Sequence, residues 1–115
     1  MTKEHKLSTE PYKGVRDFYP QDQFIQSYLF EHMARTCEMF GYEEYNASIL
    51  EPTDLYRSKT SAEIINEQSY TFTDRGEREV TLRPEMTPTF ARMIAGKSRD
   101  IPMPARWYSI GNFFR

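Results

Sequence analysis

Cysteine, histidine and glycine are scarce in this sequence, and each scarcity argues against a class of protein. The single Cys37 has no partner for an internal disulfide, and the two histidines, His5 and His32, lack the spaced cysteines of a zinc cluster. With only five glycines, no strand leads into a glycine-rich phosphate loop, which argues against Rossmann and P-loop nucleotide binding. The serine, histidine and cysteine residues also lack the neighbours that a hydrolase nucleophile needs.

Long apolar runs and an excess of positive charge are missing as well. No segment approaches the ~20 apolar residues that cross a bilayer, and the opening residues 1–6 are too polar for a signal peptide. Fifteen Lys and Arg residues against seventeen Asp and Glu residues leave a net charge of -2, so no global field attracts a nucleic-acid backbone. These features predict a cytoplasmic protein without membrane contact, in which any contact with RNA is local.

Regular patterns begin only after a polar opening. Residues 1–12 are expected to form a flexible tail and residues 13–115 the folded part, since 38% hydrophobic residues are enough to build a core. Apolar side chains recur at helical spacing from Asp22 to Phe40, which predicts a helix with a broad apolar face. Pro20 marks its entry, and Gly41 is placed to end it in a left-handed conformation.

The chain after Gly41 alternates between strand and helix signals. We expect an extended run at 43–50 closed by Pro52, a helical turn at 54–58 and a short helix at 62–68. A hairpin follows, with strands Tyr70–Thr73 and Glu79–Arg83 around an Asp74–Gly76 turn. The next helix is expected to run from a Thr87 cap and Pro88 to near Gly96, with Phe90, Met93 and Ile94 as its buried stripe, and a strand is expected at 105–115. This order indicates an α+β fold, with helices flanking an antiparallel sheet. Because the aromatic strand at 105–115 needs neighbours, the chain is expected to be part of a larger domain.

The densest group of polar residues lies where a predicted strand ends and a predicted helix begins. Glu85 offers a carboxylate and Thr87 a hydroxyl on the same side of this junction. Such a pair suits the ammonium group of an amino acid, because both side chains can accept its hydrogen bonds. The alternative is that Glu85 and Thr87 only cap the helix, which is the commoner use of these residues.

A second candidate is Arg115, at the end of the predicted aromatic strand. Strand alternation puts it on the face of Ser109, Gly111 and Phe113, where a guanidinium suits a phosphate in bidentate fashion. The alternative is an ordinary solvated arginine. Arg16-Asp17 is a weaker candidate, because adjacent opposite charges usually form a local ion pair or a turn.

Several segments, in this order, resemble those of the histidyl-tRNA synthetases, and the likeness covers nearly everything after residue 12. They are Lys13–Pro20, Phe40–Tyr42, Leu50–Pro52, Tyr70–Asp74, Leu82–Glu85 and Trp107–Arg115. The resemblance implies part of a class II aminoacyl-tRNA synthetase catalytic domain. The helix and strand up to Pro52 look like motif 1, the dimer interface of that family, and Phe113–Arg115 look like the first half of motif 2, so the domain is expected to be truncated within motif 2.

The resemblance also implies roles for the candidate residues. Glu85 and Thr87 match the positions that bind the α-amine of histidine, and Arg115 matches the catalytic arginine that holds the α-phosphate of ATP. Met86 departs from the pattern, because many family members carry Gly there. This departure puts in doubt whether the main chain is free enough beside the substrate carboxylate.

The implied activity is that of a histidine-tRNA ligase, which activates histidine with ATP and transfers it to tRNA(His). Such chemistry depends on positioning and positive charge at the phosphorus. ATP is expected with Mg²⁺ as a substrate complex, without a tightly bound cofactor or a metal held by the protein. The full-length enzyme is expected to be a homodimer and the isolated chain inactive. The alternative is the non-catalytic regulatory subunit of ATP phosphoribosyltransferase, which is similar in fold, but Glu85 and Phe113–Arg115 favour the synthetase.

Overall fold

A computed structural model describes residues 6–57 and 69–115 of the chain. The helices are α1 (Pro20–Met39), a 3-10 helix (Thr53–Tyr56) and α2 (Thr87–Gly96); the strands are β1 (Glu43–Glu44), β2 (Leu50–Pro52), β3 (Tyr70–Thr73), β4 (Glu79–Leu82) and β5 (Trp107–Tyr108). The helix expected at 62–68 lies outside the described residues. The turn expected at 54–58 is found as the 3-10 helix. No helix among the residues described is long and apolar enough to span a membrane.

Helix α1 follows its predicted course. It has a proline in its first turn, and it ends where the N–H groups of Phe40 and Gly41 donate to the carbonyls of Cys37 and Glu38. Gly41 has a φ of 81°, the left-handed conformation that a residue without Cβ adopts at little cost. No residue of α1 is buried, so its broad apolar face is left uncovered by the described part of the chain.

The antiparallel sheet has the strand order β2-β4-β3, and the predicted hairpin of β3 and β4 is confirmed. Its turn is organised by Asp74, whose carboxylate accepts hydrogen bonds from the main-chain N–H groups of Gly76 and Arg78. The left-handed residue of this turn is Glu77, with a φ of 62°. Pro52 ends β2, whose one partner among the described strands is β4, so the missing proline N–H falls on an edge strand.

The prediction of a strand over residues 105–115 is largely wrong, because only Trp107–Tyr108 of this segment form a strand. This strand, β5, pairs in parallel with β1, a pairing that the sequence did not predict. Beyond Tyr108 the chain meets no further strand among the described residues, so its side-chain alternation has no ladder to support it. Of the extended run expected at 43–50, Glu43–Glu44 form β1 and Leu50 begins β2, and the residues between them are not in a strand. The α+β class and the antiparallel sheet are confirmed.

Helix α2 begins one residue earlier than predicted. Met86 is the N-cap, with a φ of -100° and a ψ of -20°, and its carbonyl accepts the first helical hydrogen bond, from Phe90. Thr87 is therefore the first helical residue, and the prediction that it caps the helix is wrong, because the main chain already turns at Met86. Phe90, Met93 and Ile94 are only half-buried, and the fully buried residue of α2 is Thr89.

Candidate active site

The candidate site is built on the five residues that join β4 to α2. Arg83 and Pro84 are buried, Glu85 and Met86 are half-buried and Thr87 is exposed. The junction therefore leads from the interior to the surface within one turn, and it brings the carboxylate and the hydroxyl of the predicted pair out to solvent. The φ of Met86 is one that any residue adopts, so the main chain here needs no glycine.

Side-chain capping does not explain Glu85 and Thr87. No side chain caps α2, and within the described ranges neither residue forms a side-chain hydrogen bond or an ion pair. The first N–H groups of a helix and a carboxylate beside them attract each other. A half-buried carboxylate that caps nothing keeps its acceptor oxygens available for a cationic ligand. The interpretation that Glu85 and Thr87 cap the helix through their side chains is therefore wrong.

A buried carboxylate, that of Glu51, fixes α2 from below. Its Oε2 accepts a hydrogen bond of 2.6 Å from the hydroxyl of Thr89 and one of 3.1 Å from Nη2 of Arg92. Glu51 is only 4% exposed and lies on β2, so it joins the helix that starts at the candidate site to the sheet. Sequence reasoning missed this contact. The available signal was the pair of donors at i and i+3 on one face of α2.

Tyr56 lies next to this network with an unsatisfied hydroxyl. The residue is completely buried, and its Oη has no hydrogen-bond partner among the described residues. Burial raises the pKa of Tyr56, and the negative charges of Glu51 and Glu85 raise it further, while Thr89 and Arg83 oppose them. Tyr56 therefore remains a neutral phenol under the two carboxylates.

Arg83 is the most connected residue of the junction. Its Nε donates to the carbonyl of Asn112 at 3.0 Å and its Nη1 to the carbonyl of Ala47 at 3.2 Å, and its guanidinium lies 5.5 Å from the ring centre of Phe113. Nη1 also lies 3.7 Å from the sulfur of Met86. The sequence placed Arg83 in a motif but gave no reason to expect a buried guanidinium.

Arg115 lies in a different place, on the wall of a cavity of about 440 Å³. The lining residues include Gly14, Arg16, Tyr70, Asn112 and Arg115. Arg16 and Arg115 are both exposed, so the wall carries two positive charges. Nη2 of Arg16 lies 3.8 Å from Oδ1 of Asp22, so Arg16 pairs with Asp22 and not with its neighbour Asp17. Its guanidinium carbon lies 5.0 Å from the ring centre of Phe18. A cavity with two accessible guanidinium groups suits a phosphate-bearing ligand.

The structure does not place all the predicted site residues in one cavity, because Glu85 and Thr87 are absent from the wall that carries Arg115. Arg83 provides the link. It is two residues before Glu85, its side chain binds the carbonyl of Asn112, and its own carbonyl accepts the N–H of Phe114, next to Arg115.

Another cavity, of about 560 Å³, lies beside β2 and β4. Each charged side chain on its wall is in an ion pair: Arg57 binds Asp54 and Glu79, Arg78 binds Asp74, and Glu51 binds Arg92, which lies outside the wall. No cluster of three or more potential metal ligands occurs within 6–57 and 69–115. The charges of this cavity are therefore accounted for without a ligand.

Comparisons with known proteins identify relatives of nearly the whole chain. A family model described as histidyl-tRNA synthetase matches residues 14–115. The histidine-tRNA ligase of Leptospira biflexa is 55% identical over 113 residues, which are 98% of this chain and 26% of that relative. The chloroplastic/mitochondrial histidine-tRNA ligase of Arabidopsis thaliana is 40% identical over 96% of this chain and 22% of that relative. The chain thus spans about a quarter of the length of these relatives.

Solved structures show the same relationship in three dimensions. The apo histidyl-tRNA synthetase of S. aureus superposes with a TM-score of 0.78 at 28% identity, over 94% of this chain and 30% of that one. A Bacillus halodurans protein described as an ATP phosphoribosyltransferase regulatory subunit/histidyl-tRNA synthetase superposes with a TM-score of 0.82 at 23% identity, over 96% of this chain and 29% of that one, which shows the fold alone. The family match over residues 14–115 and the close relatives lead to one conclusion: this chain belongs to the histidyl-tRNA synthetase family.

Proposed function

We propose that this chain serves a histidine-tRNA ligase by binding the α-amine of histidine at Glu85 and Thr87 and the α-phosphate of ATP at Arg115. The observation that carries the proposal is the half-buried carboxylate of Glu85, which lies at the start of α2 without capping it. A carboxylate and a hydroxyl suit an ammonium group, and the guanidinium of Arg115 on its cavity wall suits a phosphate.

The same proposal covers the partners of the complete enzyme. ATP enters as its magnesium complex and the activated histidine passes to its tRNA, in a cytoplasmic homodimer. The dimer proposal is supported by α1, a twenty-residue helix with no buried residue. The proposed reaction needs no protein nucleophile, because the carboxylate of histidine attacks the α-phosphate and pyrophosphate leaves. The chain contributes alignment and positive charge.

The assay uses a chimera in which the matching 113 residues of the Leptospira biflexa ligase are replaced by this chain. The activity measured is histidine-dependent exchange of pyrophosphate into ATP. Glu85→Gln removes the charge that pairs with the ammonium but keeps the shape. It is expected to weaken histidine binding by about 1.5–3 kcal/mol. Glu43→Gln, at an exposed carboxylate of β1, is the control. Unchanged histidine affinity with weakened folding would assign Glu85 to the helix start alone.

Arg115→Lys in the chimera tests the phosphate site. Lysine keeps a charge but loses the planar fork, so adenylate formation is expected to fall much more than histidine binding. The rate is measured with ATP and histidine varied separately, and Arg99→Lys, at an exposed arginine, is the control. Full turnover of Arg115→Lys would make Arg115 a surface residue.

The regulatory-subunit function remains the second candidate, because the description of the Bacillus halodurans structure names it beside the synthetase. The unsubstituted chimera separates the two. Exchange that depends on histidine supports the ligase, whereas a folded chimera that binds histidine without exchange supports a regulatory role.

A further inference from the structure

The hydrogen bonds of the segment 109–115 with other described residues all involve Arg83. In the described part of the chain, its hydrogen bonds are those from Arg83 Nε to the carbonyl of Asn112 and from the N–H of Phe114 to the carbonyl of Arg83. The guanidinium of Arg83 also lies over the ring of Phe113. No strand pairs with this segment within the described ranges. Arg83 is therefore the hydrogen-bonded anchor, among the described residues, of the segment that carries Arg115.

Arg83 also contacts the start of α2 and the loop before β2. Its Nη1 donates to the carbonyl of Ala47 and contacts the sulfur of Met86, and its main-chain N–H donates to the carbonyl of Ile49 at 2.8 Å. Met86 lies between Glu85 and Thr87. One guanidinium thus touches both the segment with the proposed amine ligands and the segment with the proposed phosphate ligand.

The chemistry of these contacts suits positioning. Arg83 is 4% exposed, and none of the described carboxylates forms an ion pair with it. A buried cation is costly unless its donors are satisfied, and here they are satisfied mainly by main-chain carbonyls. A planar guanidinium fixes the directions of several acceptors at once, which a lysine ammonium on a flexible stem does not.

Gly111 shows how closely the segment is packed on this guanidinium. A Cβ atom at position 111 would lie 2.6 Å from Nη2 of Arg83, closer than a real Cβ approaches another heavy atom. The main chain of Gly111 is not in the left-handed region, so the requirement for glycine here is steric. Any side chain at 111 has to displace the guanidinium or the segment itself.

We propose that Arg83 is a positioning residue that sets the distance between Glu85 and Arg115, and that Gly111, which has no side chain, leaves the space that its guanidinium needs. The inference rests on the proposed function, because it concerns the alignment of the proposed histidine and ATP ligands. Loss of Arg83 leaves each ligand-binding group present but lets the two segments shift relative to each other. Misplacement of reacting groups by about 1 Å lowers a rate by about a hundredfold.

The test compares Arg83→Lys, Gly111→Ala and the double variant in the chimera. Arg106→Lys, at an exposed arginine beside β5, is the control. Active sites are counted from the burst of ATP consumption, so that kcat is expressed per folded site. Binding of histidine alone and of ATP alone is measured separately, and thermal unfolding is recorded for each variant.

Arg83→Lys and Gly111→Ala are each expected to lower kcat per active site at least about tenfold, with the affinity for each substrate alone changed less than about threefold. Adding Gly111→Ala to Arg83→Lys is expected to cost little more, because lysine lacks the Nη2 atom that the new methyl group meets. A purely structural role would instead lower the number of folded active sites and leave kcat per active site unchanged.

The inference is overturned if kcat per active site stays within about twofold of the unsubstituted chimera for Gly111→Ala, whether or not Arg83→Lys unfolds. It is also overturned if Gly111→Ala has the same effect in both backgrounds. The proposed function fails in a different way, through an unsubstituted chimera that gives no histidine-dependent exchange or through Glu85 and Arg115 variants that retain full activity.

Discussion

Helix α1 and the sheet that carries the candidate site show opposite distributions of polarity. Helix α1 exposes large apolar side chains, with Ile25 59%, Leu29 50% and Met33 50% accessible, and buries none. Around the sheet, by contrast, the buried residues are mostly polar or charged. They are Glu51, Thr53, Tyr56, Thr81, Arg83 and Thr89, together with Pro84. The apolar surface of this chain is therefore outside and much of its interior is hydrogen-bonded.

The difference shows that the two regions depend on different forces. The sheet region depends on directional contacts, such as the 2.8 Å hydrogen bond between the hydroxyls of Thr53 and Thr81 and the network of Glu51. Such contacts specify one arrangement, because an unsatisfied buried group is costly. The face of α1 has only undirected hydrophobic attraction to offer, which any apolar surface satisfies.

The largest expected effect is on the assembly of the isolated chain. Its exposed α1 face is expected to drive self-association, since burying a few hundred square ångströms at ~25 cal/mol per Å² contributes several kcal/mol. Sedimentation velocity over a concentration series measures it. Leu29→Gln is expected to shift the equilibrium toward monomer, while Glu31→Gln, an exposed polar position on the same helix, leaves it unchanged. A monomer at every concentration would show that α1 needs no cover.

Glu51→Gln tests the polar interior. Glutamine keeps one acceptor but loses the charge that Thr89 and Arg92 bind, so the free energy of unfolding is expected to fall by about 2 kcal/mol. The ion-pair share is small, because the side chain of Arg92 is 45% exposed. Urea unfolding of dilute chain, followed by the fluorescence of the single Trp107, measures it. Asp54→Asn, in an exposed pair with Arg57, is the control and should change stability far less. Equal losses would mean that burial of Glu51 adds nothing.

A smaller effect concerns the hydrogen bond that joins α1 to β5, the strand outside the sheet of the candidate site. Tyr108 donates to Oε1 of Glu38 at 3.0 Å, and burial, with the help of this bond, raises the pKa of Tyr108 to about 12 from 10.0. A raised pKa means that the contribution to stability is complete below about pH 10 and is lost as the pH rises through about 12. The midpoint temperature of thermal unfolding should therefore fall less steeply with rising pH in Tyr108→Phe than in the unsubstituted chain. Parallel curves would contradict the assignment.

The smallest effect is expected at the hairpin turn. The main-chain N–H of Arg78, followed by its side chain and by Gly76, holds the pKa of Asp74 below its ordinary value of 3.8. The contribution to stability is therefore present above that value and is lost as the pH falls through the depressed pKa. Asp74→Asn should therefore be slightly destabilising at pH 7 and nearly neutral at the lowest pH, which flattens the acid side of the stability profile. The profile is obtained by urea unfolding from about pH 5 down to about pH 2. An acid limb as steep as that of the unsubstituted chain would locate the sensitivity elsewhere.

The parts of the site that local sequence signals define could be predicted, and the parts that depend on pairing with distant residues could not. The positions of Glu85 and Thr87 were predicted because a strand signal, a proline and a helix signal follow one another within a few residues. The start of α2 was misplaced because Met86 is not a residue that usually begins a helix. The strand at 105–115 was overpredicted, since alternation describes side chains but a strand needs a neighbour to bond.

By itself the sequence determined the elements with local causes: the course of α1 between Pro20 and Gly41, the β3–β4 hairpin, the α+β class and the family to which the chain belongs. Only the tertiary structure decided that Arg83 is buried against the carbonyls of Ala47 and Asn112, that Glu51 holds α2, and that Trp107–Tyr108 pair in parallel with Glu43–Glu44. These contacts join residues at least twenty-nine positions apart. Local propensity carries no information about such distances, because the energy of a buried charge depends on which acceptors the fold brings to it.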